Sequence, residues 1–310
     1  MTIFEKLNLK YPIIQGAMAN ISTHVLAAAV SEAGGLGVIA AGGWDADKLR
    51  EEIKLCKELT DKPFAVNIML MSPHADAICH MVIEEGVKVL TTGAGNPGKY
   101  VAMWKNAGII VIPVVPSVAL AKRIAKAGVD ALIVEGTEAG GHIGETSTMS
   151  LVPQVVDAVD IDVIAAGGIA DARGVVASLA LGAIGVQAGT VFLASEECPI
   201  HENYKNAIVK ARDTSTIVTG RITGAPVRVI KNKMAREYIR IANEGIELEK
   251  LEELTLGSLR KAVLDGDTNH GSLMAGQIAG MVTSVRPVSQ ILAEMFDIKS
   301  IVKELGDING

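Results

Sequence analysis

The sequence predicts an α/β protein built on a (β/α)8 TIM barrel, with a small inserted domain after strand eight. Three observations carry this reading. From Pro12 to Ala194, short Val/Ile/Ala runs ending in Gly, Asn, Ser or Thr alternate with amphipathic stretches that gather Lys, Glu and Arg on one face. The alternation occurs eight times in about 180 residues, a compact version of the eight βα units of a barrel. Most of the apolar runs are continuous rather than alternating, as parallel strands covered on both faces require. A doubly wound open sheet is the weaker alternative.

In chain order the strands are PIIQGAM (12–18), LGVIAAG (36–42), PFAVNIM (63–69), VKVLTTG (87–93), GIIVIPVV (108–115), ALIVEG (131–136), DVIAAGG (162–168) and GVQAGTVF (185–192). Among the helices, AGGWDADKLREEIKLCKEL (41–59) puts Leu49, Ile53 and Leu55 on an apolar stripe. Its acidic residues come early and its lysines late, which suits the helix dipole. The stretch Gly174 to Ser195 runs 22 residues without a charge. Gly174, Gly182, Gly185, Gln187 and Gly189 divide it into a helix and a strand, which argues against a membrane span. Glu5, Pro12 and Gln15 likewise break the N-terminal stretch as a signal peptide.

After Ala194 the alternation stops. Residues 203–240 hold nine Lys and Arg against Asp213 and Glu237, a local charge of +7 that leaves −13 for the rest of a chain whose net charge is −6. The expected organisation is a barrel over 1–194, a basic insertion or cap over 195–265, and helices over 266–310 returning to the barrel. The first of these is an apolar helix over HGSLMAGQIAGMV (270–282).

The overall acidity argues against a nucleic-acid partner. Cys56, Cys79 and Cys198 are odd in number and far apart, so they form neither a secreted disulfide framework nor a CxxC metal site, and a reducing cytoplasm fits them. His74, Cys79 and His80 match no standard zinc spacing. Gly93, Gly95 and Gly98 match G-x-G-x-x-G, yet the acidic residue expected about twenty positions on is missing, so the match reads as an ordinary βα loop. No G-x-S-x-G and no Walker A sequence is present.

In a barrel, chemistry collects at the C-terminal ends of the strands. Here those ends are rich in glycine, which leaves room for a broad flat ligand against exposed amides. The last two ends, AAGGIAD and VQAGT, lie where barrels most often hold a phosphate. Two readings of Gly167, Gly168 and Gly189 stand: a phosphate cradle, or tight turns alone. In VEGTEAGGHIGETST (134–148), Glu135 and Glu138 precede a Gly140-Gly141-His142 turn. An imidazole between glycines can reach the barrel mouth, where its near-neutral pKa suits proton transfer; a histidine that only bonds a loop is the other reading.

The ordered set PIIQGAMA, GGLGVIAAGG, KPFAVNIML, VKVLTTGAGNPGKY, IPVVPSVALAKR, EGTEAGGHIGE, VIAAGGIAD, GVQAGTVFL and GSLMAGQIAGMV covers nearly the whole chain. It closely resembles the flavin-dependent enoyl-[acyl-carrier-protein] reductase II enzymes of the nitronate monooxygenase (2-nitropropane dioxygenase-like) superfamily. The resemblance implies an FMN enzyme that uses NADH or NADPH to reduce enoyl chains carried on acyl carrier protein. It also implies a homodimer and activation by a monovalent cation. By position it implies that Ala17, Met18, Asn67 and Glu135 contact the isoalloxazine ring and that Gly140 and Gly141 lie against it. Gly167, Gly168, Gln187, Ala188, Gly189 and Thr190 would hold the ribityl phosphate, and His142 would do acid/base work. Glu135 stands where the monooxygenases commonly have Gln, which favours the reductase branch. After GAMA the chain reads Asn20-Ile21, where many reductases place a Trp. The +7 segment offers a docking surface for the acidic carrier, or else a solvated basic face with no partner.

Overall fold

The computed structural model describes residues 1–245 and 248–307; residues 246–247, within the expected insertion, and 308–310, at the end of the C-terminal segment, lie outside the described residues. Strands β1 (Ile13–Gln15), β2 (Gly37–Ala40), β3 (Phe64–Met69), β4 (Val89–Gly93), β5 (Ile110–Val115) and β6 (Ala131–Glu135) are followed by a two-residue strand, β7 (Gly141–His142). Then come β8 (Asp162–Ala166), β9 (Gly185–Ala188), β10 (Thr216–Thr219) and β11 (Val227–Ile230). Eight of these form one parallel sheet in the order β1-β9-β8-β6-β5-β4-β3-β2. An Ile14–Leu36 bridge joins its two edges and closes the barrel. Each expected strand is present, usually trimmed at its ends. The run 185–192 stops at Ala188, and Thr190–Leu193 turns into a short helix.

Side-chain alternation sorts the barrel into an inside and an outside. Ile14, Leu36, Val38, Ala65, Val89, Ile112, Ala131, Ile133, Ile164 and Ala166 pack together inside. Ile3 and Phe4, from a short N-terminal helix (Ile3–Lys6), join this inner cluster and plug its lower end. Phe4 lies so close to β9 that a Cβ on Gly185 would come within 2.4 Å of its ring. The larger outer cluster lies between the strands and the surrounding helices.

The helix within 41–59 is Ala46–Leu59, with Asp45 accepting from Lys48 N–H as its N-cap. Its buried stripe is Leu49, Glu52, Ile53 and Cys56, whereas Leu55 sits at the edge. Glu52 is tolerated there because His24 Nδ1 and backbone N–H and the Lys48 ammonium all meet its carboxylate.

The expected apolar helix over 270–282 is not formed. The chain is extended through Gly276 and makes only a 3-10 helix at Gln277–Met281. The physical reason is that its backbone groups are used elsewhere. Leu273 C=O accepts from Ile230 N–H, Gly276 N–H donates to Thr190 Oγ1, and Gln277 N–H donates to Glu138 C=O. Those groups cannot also make i→i−4 bonds, and Gly271, Gly276 and Gly280 weaken any helix there.

Between β9 and the C-terminal helices (Val288–Met295 and Ile298–Asp307), the chain forms a helix at Glu202–Val209, the β10–β11 hairpin, and helices at Lys233–Asn243 and Leu248–Thr255. The hairpin and β7 make a separate three-stranded antiparallel sheet. Among the described residues, no helix is long and apolar enough to cross a membrane.

The β1–β2 seam is the weakest part of the barrel, because those strands share only a bridge. Gln15, which points to the helix side of the strand, reinforces it: its Oε1 accepts from Val38 N–H at 3.0 Å and its Nε2 donates to Ser22 Oγ at 2.8 Å. Replacing Gln15 by Leu strands the buried Val38 N–H and takes one of two partners from the Ser22 hydroxyl, so unfolding free energy should fall by roughly 2–4 kcal/mol, while Ser22→Ala, which leaves Gln15 bonded to Val38 N–H, should cost only about 1 kcal/mol. Denaturant titration of both variants checks this; a Gln15→Leu loss no larger than that of Ser22→Ala would remove Gln15 from the seam.

Candidate active site

The barrel mouth is built from strand ends. Asn67 follows the inward Ala65, Thr91 follows Val89, Glu135 follows Ile133, and Gln187 is the register partner of inward Ile14, so all four point into the barrel near its C-terminal end. All four are polar, above an apolar interior. Asn67 Nδ2 donates to Thr91 Oγ1 at 2.9 Å, which fixes the carboxamide and leaves its oxygen and second N–H for a ligand. Glu135 makes no side-chain hydrogen bond to any described residue. Burial pushes its carboxyl up to about 7. A carboxyl in this state can donate or accept a hydrogen bond near neutral pH.

On the opposite side, β1 and β9 deliver Ala17, Met18, Ala188, Gly189 and Thr190 together. Gly16 N–H donates to Ala188 C=O at 2.7 Å, and Met18 N–H donates to Ser22 Oγ. The Met18 sulfur lies beside Gly189, 3.6 Å from where a Cβ would stand. Asn20 takes φ 61°, a left-handed turn that asparagine tolerates and tryptophan does not favour. Gly167 (φ 91°) and Gly168 (φ 77°) end β8 in the left-handed region, and a Cβ at Gly167 would stand 2.9 Å from the Gly136 carbonyl. Turn geometry therefore requires glycine at Gly167 whether or not a phosphate binds. Thr190 Oγ1 is buried and accepts from Gly276 N–H, so its own proton remains to be donated.

The loop after β6 is held from several sides. Thr148 N–H donates to the Glu138 carboxylate at 2.9 Å, and the Thr148 hydroxyl lies 2.9 Å from both that carboxylate and the Gly167 carbonyl. Gly140 packs on backbone: a Cβ there would meet Ala275 C at 2.6 Å and Gly276 N at 2.7 Å. Gly141 and His142 pair with Arg228 and Val227 of β11. His142 is exposed, and none of its ring nitrogens is bonded to a described residue.

The structure thus brings Ala17, Met18, Asn67, Glu135, Gly167, Gly168, Gln187, Ala188, Gly189 and Thr190 to one end of the barrel. Gly140, Gly141 and His142 lie on the loop beside it, at the junction with the insertion. Thr91 was missed from sequence; its signal is the two-residue period running from inward Val89. The cysteines take no part: burial pushes the thiols of Cys56, Cys79 and Cys198 each up to about 12, so none is a ready thiolate. His74, Cys79 and His80 do not converge; His80 Nδ1 meets Asp76 C=O within its own helix.

The donor set fits FMN. A polar inner rim meets the needs of a ring edge that both donates and accepts hydrogen bonds, while small strand ends leave space for a flat ring. Amides of Gly167, Gly168 and Gly189, with the Thr190 hydroxyl, suit a phosphate.

The family model described as nitronate monooxygenase matches residues 2–79 and 76–297. A probable nitronate monooxygenase of Staphylococcus saprophyticus is 36% identical, covering 97% of this chain and 96% of the relative. The solved structure of FabK from Thermotoga maritima has a TM-score of 0.96 and 48% identity, covering 99% of this chain and 98% of that one. A nitroalkane oxidase from Streptomyces ansochromogenes gives a TM-score of 0.86 at 30% identity, over 97% and 99% of the two chains. With its mouth, glycine turns and β6 loop in place, the chain belongs to the nitronate monooxygenase family, whose members are flavin-dependent oxidoreductases.

Proposed function

We propose that the chain is an FMN-dependent reductase that uses NADH or NADPH to reduce the trans-2 double bond of an enoyl thioester carried on acyl carrier protein. The observation that carries this is the polar inner rim of Asn67, Thr91, Glu135 and Gln187 beside the glycine turns, in a chain alike over its whole length to FabK, an enoyl-[acyl-carrier-protein] reductase. A homodimer and stimulation by a monovalent cation enter the proposal from the family resemblance, and a cytoplasmic location from the three free cysteines.

FMN, when bound, supplies two-electron transfer from the nicotinamide to Cβ of the enoyl chain. The protein supplies position and protons. Asn67 and Gln187 carry carboxamides that donate and accept, and Glu135 can present either a carboxylic acid or a carboxylate to the ring edge. Gly167, Gly168, Gly189 and Thr190 offer N–H groups and a hydroxyl to the phosphate. Ala17 and Met18 supply apolar contact. His142, on an exposed turn at the loop's end, delivers or orients through water the proton that reaches Cα.

The basic segment is smaller in effect than its sequence charge. Lys205 is buried against the Glu196 carbonyl and Glu202, and Arg228 is buried against the Thr137 carbonyl. Arg221 pairs with Glu145, and Arg240 pairs with Glu237 and Glu244. The exposed cations that remain are Lys210, Arg212, Lys231, Lys233 and Arg236. They gather around the 210–215 turn, where Lys231 Nζ donates to Thr214 C=O, and on the start of the helix Lys233–Asn243. We place carrier docking on this patch.

Three outcomes check the proposal. Anaerobic reduction by each nucleotide, followed by mixing with crotonyl thioester or with nitronate and air, should show fast reoxidation by the thioester; fast turnover only with nitronate and oxygen would make the chain a monooxygenase instead. In the same assay His142→Ala should leave reduction by nucleotide intact and slow reoxidation by roughly 10²-fold or more; unchanged reoxidation would remove His142 from the chemistry. Lys233→Glu with Arg236→Glu places acidic groups in a helix's first turn, where the dipole tolerates them. It should raise KM for carrier-bound substrate several-fold and leave a CoA thioester unaffected; equal effects on both would refute docking there.

The Glu135 carboxyl supplies a pH test on cofactor-free protein. Its folded pKa, about 7, lies above the ordinary 4.5, so ionisation destabilises the fold progressively between pH 4.5 and 7 and fully above that. Glu135→Gln should therefore be more stable than the parent by roughly 1–3 kcal/mol at pH 8, with the gain vanishing near pH 4.5. A stability difference that does not vary with pH would show that Glu135 is not held in this state.

A further inference from the structure

The mechanism makes no use of the one arginine that the insertion buries against the active-site loop. Arg228 is 7% exposed. Its Nε and Nη2 both donate to the Thr137 carbonyl, at 3.2 and 3.0 Å, and its Nη1 donates to Thr216 Oγ1 at 3.2 Å. Thr137 sits between the end of β6, which carries Glu135, and β7, which carries His142. Its N–H is already bound to Thr146 C=O at 2.9 Å, so the Arg228 fork completes the pairing of the two backbone groups of Thr137.

The loop needs such a clamp. From Gly136 to Gly144, four of nine residues are glycine, which makes ordering it entropically costly. The ladder that joins it to the insertion is two residues long, Gly141 with Arg228 and His142 with Val227, continued by one Ile143 N–H to Pro226 C=O bond. So short a ladder is marginal by itself. Burying a guanidinium costs several kcal/mol, and an apolar side chain of similar length would avoid that cost. What an apolar side chain cannot do is hold the Thr137 carbonyl. From there the loop is tied onward: the Glu138 carboxylate accepts from Thr148, whose hydroxyl reaches Gly167 C=O, and Glu138 C=O accepts from Gln277 N–H.

We infer that Arg228 is a positioning residue: it locks the 136–142 loop from the side of the insertion, and so sets how Glu135 and His142 are presented to the cofactor. Flavin affinity and substrate chemistry thereby depend on a residue that touches neither. The inference rests on the FMN reading of the mouth, and its test separates the two.

The experiment uses the full chain stripped of flavin, as parent, Arg228→Met, Arg228→Lys and, as a control, Lys250→Met, an exposed cation of the helix Leu248–Thr255 away from the clamp. Two readouts are amide hydrogen exchange of the peptide spanning 136–144 without flavin, and the Kd for added FMN. Arg228→Met should exchange at least tenfold faster in that peptide, with little change in the barrel strands, and should bind FMN at least tenfold more weakly. Arg228→Lys, with one ammonium for the same carbonyl, should recover part of both effects, and Lys250→Met should behave as the parent. If Arg228→Met does not fold, Arg228→Lys, expected a few-fold worse than the parent in both readouts, decides the matter. Loop exchange and FMN affinity both within twofold of the parent would overturn the inference. So would faster loop exchange with unchanged FMN affinity. A parent that binds no FMN would sink the cofactor reading instead, and would confine Arg228 to whatever the loop exchange shows.

Discussion

A closed barrel of short parallel strands depends on its seam. Seven of the eight strand junctions here are laddered, but β1 and β2 are joined by one bridge, and Gln15 spans the gap from the helix side. A carboxamide can do this because it carries an acceptor for Val38 N–H and a donor for Ser22 on one rigid plane. The same Ser22 hydroxyl receives Met18 N–H, so the interaction that closes the barrel also fixes the turn on which Ala17 and Met18 face the mouth. Closure and site geometry are thus one problem, solved at one end by Gln15 and at the other by the Phe4 plug.

Above the apolar interior the mouth is made largely of backbone. Gly167 and Gly168 turn through left-handed conformations, Gly140 lies on the backbone of Ala275 and Gly276, and Gly276 in turn reaches Thr190. Each glycine permits two chain segments to approach more closely than a Cβ allows. A protein with ten aromatic residues thereby offers a flat ligand amides, carboxamides and one carboxyl in place of aromatic stacking. It also explains why 272–276 stays extended. A helix would satisfy its own backbone and leave β11, Glu138 and Thr190 without partners.

The insertion's charges divide by function. Those directed inward, Arg228 and Lys205, satisfy backbone carbonyls; those on the outside include both paired and exposed cations. A net charge counts these alike, although only the exposed cations present a field to a partner and only the buried ones can hold a loop.

Much of the architecture was legible from the chain alone. Eight apolar runs and their spacing identified the barrel, glycine-rich ends located its mouth, and the two-residue period could also have picked out Thr91. The helix stripe was off by one place: Cys56 stands seven residues after Leu49 and three after Ile53, on the buried face, whereas Leu55 is turned about 100° away from it. Strands β7, β10 and β11 left no pattern, being two to four residues long and paired with distant segments. The sequence by itself determined the number and order of βα units and where backbone can turn left-handed, because these follow from local periodicity and from the presence or absence of Cβ. Only the tertiary structure decided that 272–276 is extended, that Gln15 closes the seam, and that Arg228 grips Thr137 while Lys233 stays exposed. Those outcomes depend on which donors and acceptors distant segments leave unpaired, and no local pattern encodes that.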